Sequence, residues 1–363
     1  MDEPLRPRPL VSMLLIAYRQ PDTIARAIRA ALAQTYSPLE IVISDDASGD
    51  TTFAAMQAAL AGYPGPHRIV LNRNPRNLGI GAHLSHLVSL ASGELLFVTA
   101  GDDVSLPQRC EVVVQAWLAH GRRPDLIASA LFDMDAGGGL HATIMPSDLQ
   151  RYRCIADWLA DPPFVVGAAQ AWTRRLFDRF GPLPAGVVAE DLIMVFRAIA
   201  ITSAISTASA SLDVGAAGSA GGAGAVGSAG GAGAGGAITL NEALVGYGRG
   251  GLSRRVRNLR AQEVVARVLK NNRHALIEHE QLLRDAASVG QLDAVRAAFD
   301  AKLRRERFIR DLFAAPGRRR KTGIALRAVG VPTGLRLRML GYAALPGLYA
   351  PFFFLKRLLA RQA

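Results

Sequence analysis

The chain reads as an α/β protein built on a parallel sheet, and three features of the sequence carry that reading. Short apolar, β-suited runs at 10–17, 39–43, 67–71 and 95–98 alternate with segments whose apolar residues recur at helical spacing. Such alternation specifies parallel strands joined by right-handed crossovers. Acidic, turn-forming loops follow the second and fourth runs, and in an open α/β sheet ligands bind beyond the carboxyl ends of the strands.

The first run, 10–17, is closed by Tyr18-Arg19-Gln20-Pro21. Asp22 or Thr23 is placed to cap a helix presenting Ile24, Ala27, Ile28, Ala31 and Leu32 on one face. The second strand, 39–43, leads into Ser44-Asp45-Asp46-Ala47-Ser48-Gly49-Asp50, and a helix over 52–61 follows. A third strand at 67–71, a turn-rich loop over 72–81 and a helix to about 91 precede the fourth strand. That strand stops at Thr99-Ala100-Gly101, and Asp102 and Asp103 come next. A carboxylate pair at this edge suits a divalent cation held on a diphosphate, since Mg²⁺ and Mn²⁺ take hard oxygen ligands and few carboxylates. The alternative is an ordinary Gly-Asp-Asp turn.

Beyond this point a helix is expected over 108–120 and a strand over 125–132, while 141–165 is less regular. Trp172, with core packing or ligand contact both open to it, precedes Arg174 and Arg175, which suit either a phosphate or a solvated face. Glu190-Asp191 opens a helix over 192–201, where acidic residues are also favoured by the helix dipole. Residues 215–237 contain only Gly, Ala, Ser and one Val, too little apolar surface to offset chain entropy, and read as a flexible surface insert. Two helices, 254–287 and 291–313, read as an appended hairpin joined near Gly290. A basic run at 318–321 precedes the uncharged stretch 339–355, which Pro346 and Pro351 interrupt. Its aromatics, with Lys356, Arg357 and Arg361 behind them, suit an interfacial membrane anchor or a helix packed on the protein itself.

Composition narrows the partners. Half of the 363 residues are hydrophobic and the formal net charge is +12, which suits phosphate-bearing ligands or an anionic membrane surface. No nucleic-acid reader motif is present, and aromatics for base stacking are few. Cys110 and Cys154 stand at no metal spacing and fit a reducing cytosol. Residues 1–10 are proline-rich and charged, so no signal peptide is expected there.

The pieces at 11–19, Gln34-Thr35-Tyr36, 40–48, Asn77-Leu78-Gly79, 93–107 and Glu190-Asp191 occur in one order and spacing. Together they resemble an inverting glycosyltransferase of family 2 with the GT-A fold, a mostly parallel Rossmann-like sheet flanked by helices. The resemblance covers roughly residues 10–255 and implies a catalytic domain over 1–255; beyond it the composition reads as a helical hairpin over 256–315 and a basic, apolar tail over 316–363. It implies that Ala17, Tyr18, Arg19, Asp45, Asp46, Asn77 and Gly79 lie along the nucleotide, where carboxylates can accept hydrogen bonds from a base N–H or ribose hydroxyls. Asp102 and Asp103 match the metal motif for Mn²⁺ or Mg²⁺. Ala100 stands where the fullest pattern has a further Asp, which puts the metal chiefly on Asp103 and Asp102 nearer the ribose or a metal-bound water.

In the same terms Trp172 lies on the acceptor side, Asp191 is the general base, and Glu190 either orients the acceptor or holds Asp191 in place. Arg249 stands where the family often has a His beside the leaving diphosphate. The Gln-x-x-Arg-Trp motif of processive members is absent, which favours transfer of a single sugar. The implied donor is a nucleotide-diphospho-sugar and the implied acceptor a glycan or lipid-linked hydroxyl, as in surface polysaccharide or glycolipid assembly. The implied location is cytoplasmic, with attachment to the inner face of the membrane left open. A non-catalytic membrane-associated scaffold that binds nucleotide-sugars is the alternative. A phospho-receiver domain is disfavoured because the third strand ends in Leu71-Asn72-Arg73, without a phosphoacceptor Asp. A nucleotide-sugar pyrophosphorylase is disfavoured because no Gly-rich basic loop follows the first strand.

Overall fold

The computed structural model describes residues 7–216, 236–248 and 261–345. Most of the 215–237 tract, Arg249 and the apolar stretch beyond residue 345 lie outside the described residues. The chain divides into two compact units, Met1–Ser253 with Asp285–Leu292, and Arg254–Arg284 with Asp293–Ala363.

The first unit begins with β1 (Val11–Ala17), α1 (Ile24–Leu32), β2 (Leu39–Asp45), α2 (Thr52–Leu60), β3 (Arg68–Arg73), α3 (Ile80–Leu90) and β4 (Leu95–Ala100). These four strands are parallel in the order β3-β2-β1-β4. β2 is buried along its whole length and β1 and β4 nearly so. This is why they read as continuous apolar runs rather than alternating ones. α1 covers the sheet with Ile24, Ala27, Ile28 and Ala31, the helical face expected from their spacing. Register sets the site: Ala17 pairs with Asp45 and Ile16 with Ala100, so the loops after β1, β2 and β4 leave one edge side by side.

After β4 come β5 (Val104–Ser105), α4 (Arg109–Ala119), β6 (Leu126–Met134), β7 (Leu140–Ile144), α5 (Ile155–Ala160), β8 (Gln170–Thr173), α6 (Arg174–Phe180), α7 (Glu190–Ala216) and β9 (Ala237–Gly248). The nine-stranded sheet continues as β4-β8-β6-β9-β5, with β7 paired to β6. β8 lies antiparallel to β4 and β6, while β6 and β9 are parallel. The sheet is therefore mixed, and its parallel half is the N-terminal one. β8 and β5 have four and two residues, too short to show a period, and only pairing with distant strands makes them strands.

α7 is longer than the 192–201 expected from sequence. Ile193 to Phe196 and Ala198 to Ala200 are all buried, so the helix is apolar around its circumference and has no stripe to count. The exception on this stretch is Arg197, fully buried, whose guanidinium donates to Asp285 Oδ2 at 2.8 Å and Oδ1 at 3.2 Å and to the Gly181 carbonyl. A buried guanidinium is tolerated only with such planar, bidentate pairing. Cys110 and Cys154 are both free thiols.

The second unit contains most of α8 (Ala261–Ser288) and α9 (Leu292–Ala314), with α10 (Arg318–Arg327) and α11 (Thr333–Ala344). α10 is a helix that the basic run did not reveal, while α11 overlaps the start of the uncharged stretch, for which a packed helix is one of the two expectations. They close a small core in which Phe308, Ile309 and Leu312 of α9 meet Ala325, Val331 and Met339. Among the described residues no helix is long and apolar enough to cross a membrane.

Candidate active site

The first wall of the site is the seam between the ends of β1 and β2. Arg19 and Ala47 both adopt the left-handed region, with φ of 55° and 57°, a conformation that costs a non-glycine residue of order 1 kcal/mol or more. Hydrogen bonds across the seam offset that cost. Asp46 N–H donates to the Ala17 carbonyl at 2.9 Å, and Arg19 N–H donates to Ser48 Oγ at 2.8 Å. Ser48 Oγ in turn donates to Asp45 Oδ1. Asp45 is fully buried and also faces Arg73, Nε to Oδ2 at 3.3 Å. Asp46 is nearly buried and its carboxylate is engaged three times: by Asn74 Nδ2 at 2.7 Å and by the N–H groups of Leu78 and Gly79 at 2.9 Å. It clamps the Asn77-Leu78-Gly79 loop against the end of β2. Gly79 must be glycine there, because its φ is +77° while its N–H holds the clamp. Below the clamp, His83 Nε2 lies 2.7 Å from Ser44 Oγ, and burial pushes its pKa down to about 4, so the ring is neutral at pH 7. Tyr18, Arg19, Arg73 and Asn77 are the exposed residues of this wall. The Arg19 guanidinium stacks over the Tyr18 ring at 5.2 Å.

The second wall is the loop after β4. Gly101 packs with no room for a Cβ, which would lie 2.6 Å from Gln20 Oε1 and 2.9 Å from Ile24 Cδ1. This close packing leaves Asp102 and Asp103 only 9% and 2% exposed. Burial, and for Asp103 also its neighbour Asp102, pushes both carboxyls above the usual range, Asp103 well above it. Asp103 Oδ1 accepts the Gly248 N–H at 2.8 Å from the end of β9. Arg109, itself buried, donates to Ser105 Oγ and to the carbonyls of Val98 and Gln170, not to either carboxylate. Two crowded, partly dehydrated carboxylates made of hard oxygen donors fit a divalent cation, whose charge offsets their repulsion. Among the described residues no group of three His, Cys, Asp or Glu side chains is arranged for a metal, so such a cation would complete its shell with phosphate and water oxygens.

Gly248 gives this wall a direct test. A Cβ there would sit 2.2 Å from the Asp102 carbonyl oxygen, and rigid backbone cannot swing aside as a side chain does. Gly248→Ala is expected to displace the Asp102-Asp103 loop, costing about 1–3 kcal/mol as overpacking does and weakening Mn²⁺ binding. Thermal melts with and without Mn²⁺ check this; an unchanged pair of melts would show that β9 does not fix the loop.

The third wall is the N-terminus of α7. Glu190 is nearly buried and Asp191 half-buried. Gly167 lies so close beneath them that a Cβ would stand 2.7 Å from Glu190 Oε1. Asp191 Oδ1 accepts the Leu192 N–H at 2.8 Å, and Gln170 Nε2 donates to the Asp191 carbonyl at 3.3 Å. A hydrogen-bonded relay therefore runs from Val98 on β4 through Arg109 and Gln170 to Asp191. It ends on the Asp191 main-chain carbonyl, so it ties the backbone at the start of α7 to β4 without touching Asp102, Asp103 or the Asp191 carboxylate. Trp172 presents no surface to a ligand: it is fully buried and its indole N–H donates to Gln170 Oε1 at 2.8 Å. Its influence on the site passes through Gln170. Arg174 and Arg175 are likewise taken up by the fold, Arg174 by the carbonyls of Val88, Ala91 and Gly93, and Arg175 by Asp125 and the carbonyls of Arg122 and Arg123. Sequence reasoning passed over Ser48, Asn74, Arg109, Gln170 and Gly248. Only Gly248, in a glycine-rich run that closes an apolar strand, carries a local signal of close backbone approach.

The profile of the Glycosyl transferase family 2 matches residues 12–143. These residues contain the first two walls entire, apart from Gly248. Residues 12–143 are a family 2 glycosyltransferase domain. A putative glycosyltransferase, EpsE, of Bacillus subtilis is 34% identical over 139 residues, covering 38% of this chain and 49% of EpsE. The succinoglycan biosynthesis protein ExoO of Rhizobium meliloti is 36% identical over 113 residues, 31% of either chain. The chain thus spans about half the length of these relatives or less. Among solved structures, the mannosyltransferase PcManGT of Pyrobaculum calidifontis, in complex with GDP-Man and Mn²⁺, superposes with a TM-score of 0.48 at 16% identity, over 94% of this chain and 87% of that one. The match ends within β7, so β8, α7 and β9 lie beyond the matched residues.

Proposed function

We propose that the chain transfers a single sugar, with inversion, from a nucleotide-diphospho-sugar to an acceptor hydroxyl. The observation that carries this reading is the buried Asp102-Asp103 pair at the carboxyl end of β4, inside the stretch that matches the family 2 profile. The seam of Ala17, Tyr18, Arg19, Asp45, Asp46, Asn77 and Gly79 would receive the nucleoside. Tyr18, Arg19 and Asn77 are the members free to meet it directly, while Asp45 and Asp46 hold the loops that shape its pocket. Asp103 and Asp102 would hold Mn²⁺ or Mg²⁺, and a bound divalent cation supplies electrostatic stabilisation of the diphosphate as it departs.

Asp191 takes the proton of the acceptor hydroxyl. The acceptor oxygen bonds to the anomeric carbon, the bond from that carbon to the donor's diphosphate oxygen breaks, and the electron pair leaves with the nucleoside diphosphate. Attack on the face opposite the leaving group inverts the centre. Glu190, wedged over Gly167, holds the start of α7 in place. Arg249, outside the described residues, remains a proposed cationic partner of the diphosphate on sequence grounds. Kinship to a protein named for succinoglycan biosynthesis supports a glycan or lipid-linked acceptor in surface polysaccharide assembly. The cationic excess and free thiols support a cytoplasmic protein apposed to the inner membrane surface.

A thermal-shift panel of nucleotide-sugars, with and without Mn²⁺, tests the reading, because a bound donor raises the melting temperature by mass action. One donor is expected to stabilise the chain more in Mn²⁺ than in chelator and to yield nucleoside diphosphate slowly. No stabilisation by any donor in either condition would overturn the proposal.

A further inference from the structure

Among the described residues, the three most exposed large apolar side chains all fall at one corner of the second unit: Val329 at 89%, Leu326 at 74% and Leu337 at 63%. Leu326 is in the last turn of α10, Val329 is in the link, and Leu337 is on α11. Arg336, beside Leu337, donates to the carbonyls of Ala325 and Leu326, at 3.4 and 3.3 Å, so α11 is held against the end of α10. Lys321 adds a second tie, from its ammonium to the Ala343 carbonyl at 3.0 Å.

The packing needs of this hairpin are met elsewhere. Ala325, Val331 and Met339 turn inward onto Phe308, Ile309 and Leu312. Leu326, Val329 and Leu337 are left over, and scattered single apolar residues would call for no comment. Three such groups on one tied helix pair and its link, more exposed than any other large apolar group described, are a different matter. Its charge surroundings are one-sided: residues 312–345 hold seven Lys and Arg and no Asp or Glu. Arg318, Arg319, Arg320, Arg327 and Arg338 among them are exposed. Apolar tips on a cation-rich, acid-free stretch of chain match the two-part chemistry of an anionic lipid surface: acyl-chain boundary for the tips and headgroups for the guanidinium groups.

We infer that the α10–α11 corner is a membrane-docking surface that seats Leu326, Val329 and Leu337 in the interface of an anionic bilayer. This deepens the membrane reading above and rests on that reading alone, not on the transfer chemistry. It also relocates the main contact, from the uncharged stretch at 339–355 to a folded corner that ends before most of that stretch begins. An acidic protein would match the charge but gives no role to three protruding aliphatic groups. A second copy of this corner would bring like charges together.

The test is flotation of the full chain with phosphatidylglycerol-rich and with pure phosphatidylcholine vesicles, in the absence of donor and acceptor. The parent is expected to bind the anionic vesicles, weakly in high salt, and not the neutral ones. The triple variant Leu326→Ser, Val329→Ser, Leu337→Ser is expected to lose at least about tenfold in partitioning. The triple variant Arg318→Gln, Arg319→Gln, Arg320→Gln is expected to lose a similar factor and most of the salt dependence. Both should melt like the parent, since the altered side chains are exposed. If the parent fails to float, the membrane reading itself falls. If the parent floats and both variants float equally well, membrane binding stands and the α10–α11 surface is refuted. Concentration-dependent self-association that the Ser variant abolishes, without vesicle binding, would assign the corner to a second copy and overturn the inference.

Discussion

Asp191→Asn is expected to bind nucleotide-sugar as the parent does and to lose transfer by about 10²–10⁴-fold, the usual scale for removing a general base. The amide keeps an oxygen to accept the Leu192 N–H, now made by Asp191 Oδ1 at 2.8 Å. Gln170 reaches Asp191 through its main-chain carbonyl, which the substitution leaves alone. The start of α7 should therefore hold its place, and the variant removes the ionised carboxylate with little else. Donor affinity and turnover, measured on the same purified protein, separate the outcomes. Loss of turnover with donor affinity and melting temperature unchanged supports the base assignment. A joint fall of melting temperature and donor affinity would make Asp191 a support of the fold. Glu190→Gln is the control: if it is the inactive variant while Asp191→Asn turns over normally, the base is Glu190.

Asp103→Asn carries the second large effect, and its sign on stability is the informative part. Asp103 is buried beside Asp102, and both features disfavour its ionised form. A carboxyl whose pKa is raised on folding costs stability as pH rises past its unfolded value, so above that value the pair is a liability to the metal-free fold. The amide removes one of the two ionisable groups and keeps an acceptor for the Gly248 N–H. In chelator the variant should melt no lower than the parent, and higher if the repulsion is fully relieved. Stabilisation by Mn²⁺ should vanish and transfer should fall by about 10²-fold or more, as when one electrostatic stabiliser of a developing charge is lost. Full turnover of the parent in excess chelator would show that the acidic pair does not act through a cation. A variant that melts far below the parent would show that the Asp103 charge serves the fold instead.

Both predictions place sharp demands on residues that were legible as text. The order of acidic loops, the strand runs before them and the Glu190-Asp191 pair could be read because each is a local pattern. Apolar runs of four to eight residues bounded by turn formers mark buried parallel strands, and the carboxyl end of such a strand is where its loop must carry any chemistry. The family 2 match over 12–143 falls on that legible part. The helical face of α1 was visible for the same reason, since one side of the helix is buried and the other solvated.

What the sequence could not show depends on pairings between residues far apart in the chain. Trp172 could be either a ligand contact or core until Gln170 and β4 closed around it. Arg174 and Arg175 are cations on paper and props for backbone carbonyls in the fold. The role of Asp46 as clamp needs Leu78 and Gly79, some thirty residues on, to turn their N–H groups back upon it. Gly248 matters only because β9 ends against Asp102 and Asp103. The α10–α11 corner is set by which of its apolar residues the neighbouring helix buries. Ala325, Val331 and Met339 go inward and Leu326, Val329 and Leu337 do not. The sequence by itself determined the residue types that can do the chemistry and the strands that present them. Tertiary structure alone decided which of those groups are consumed by the fold and which stay available, because burial and hydrogen-bond satisfaction belong to the packed chain rather than to any segment of it.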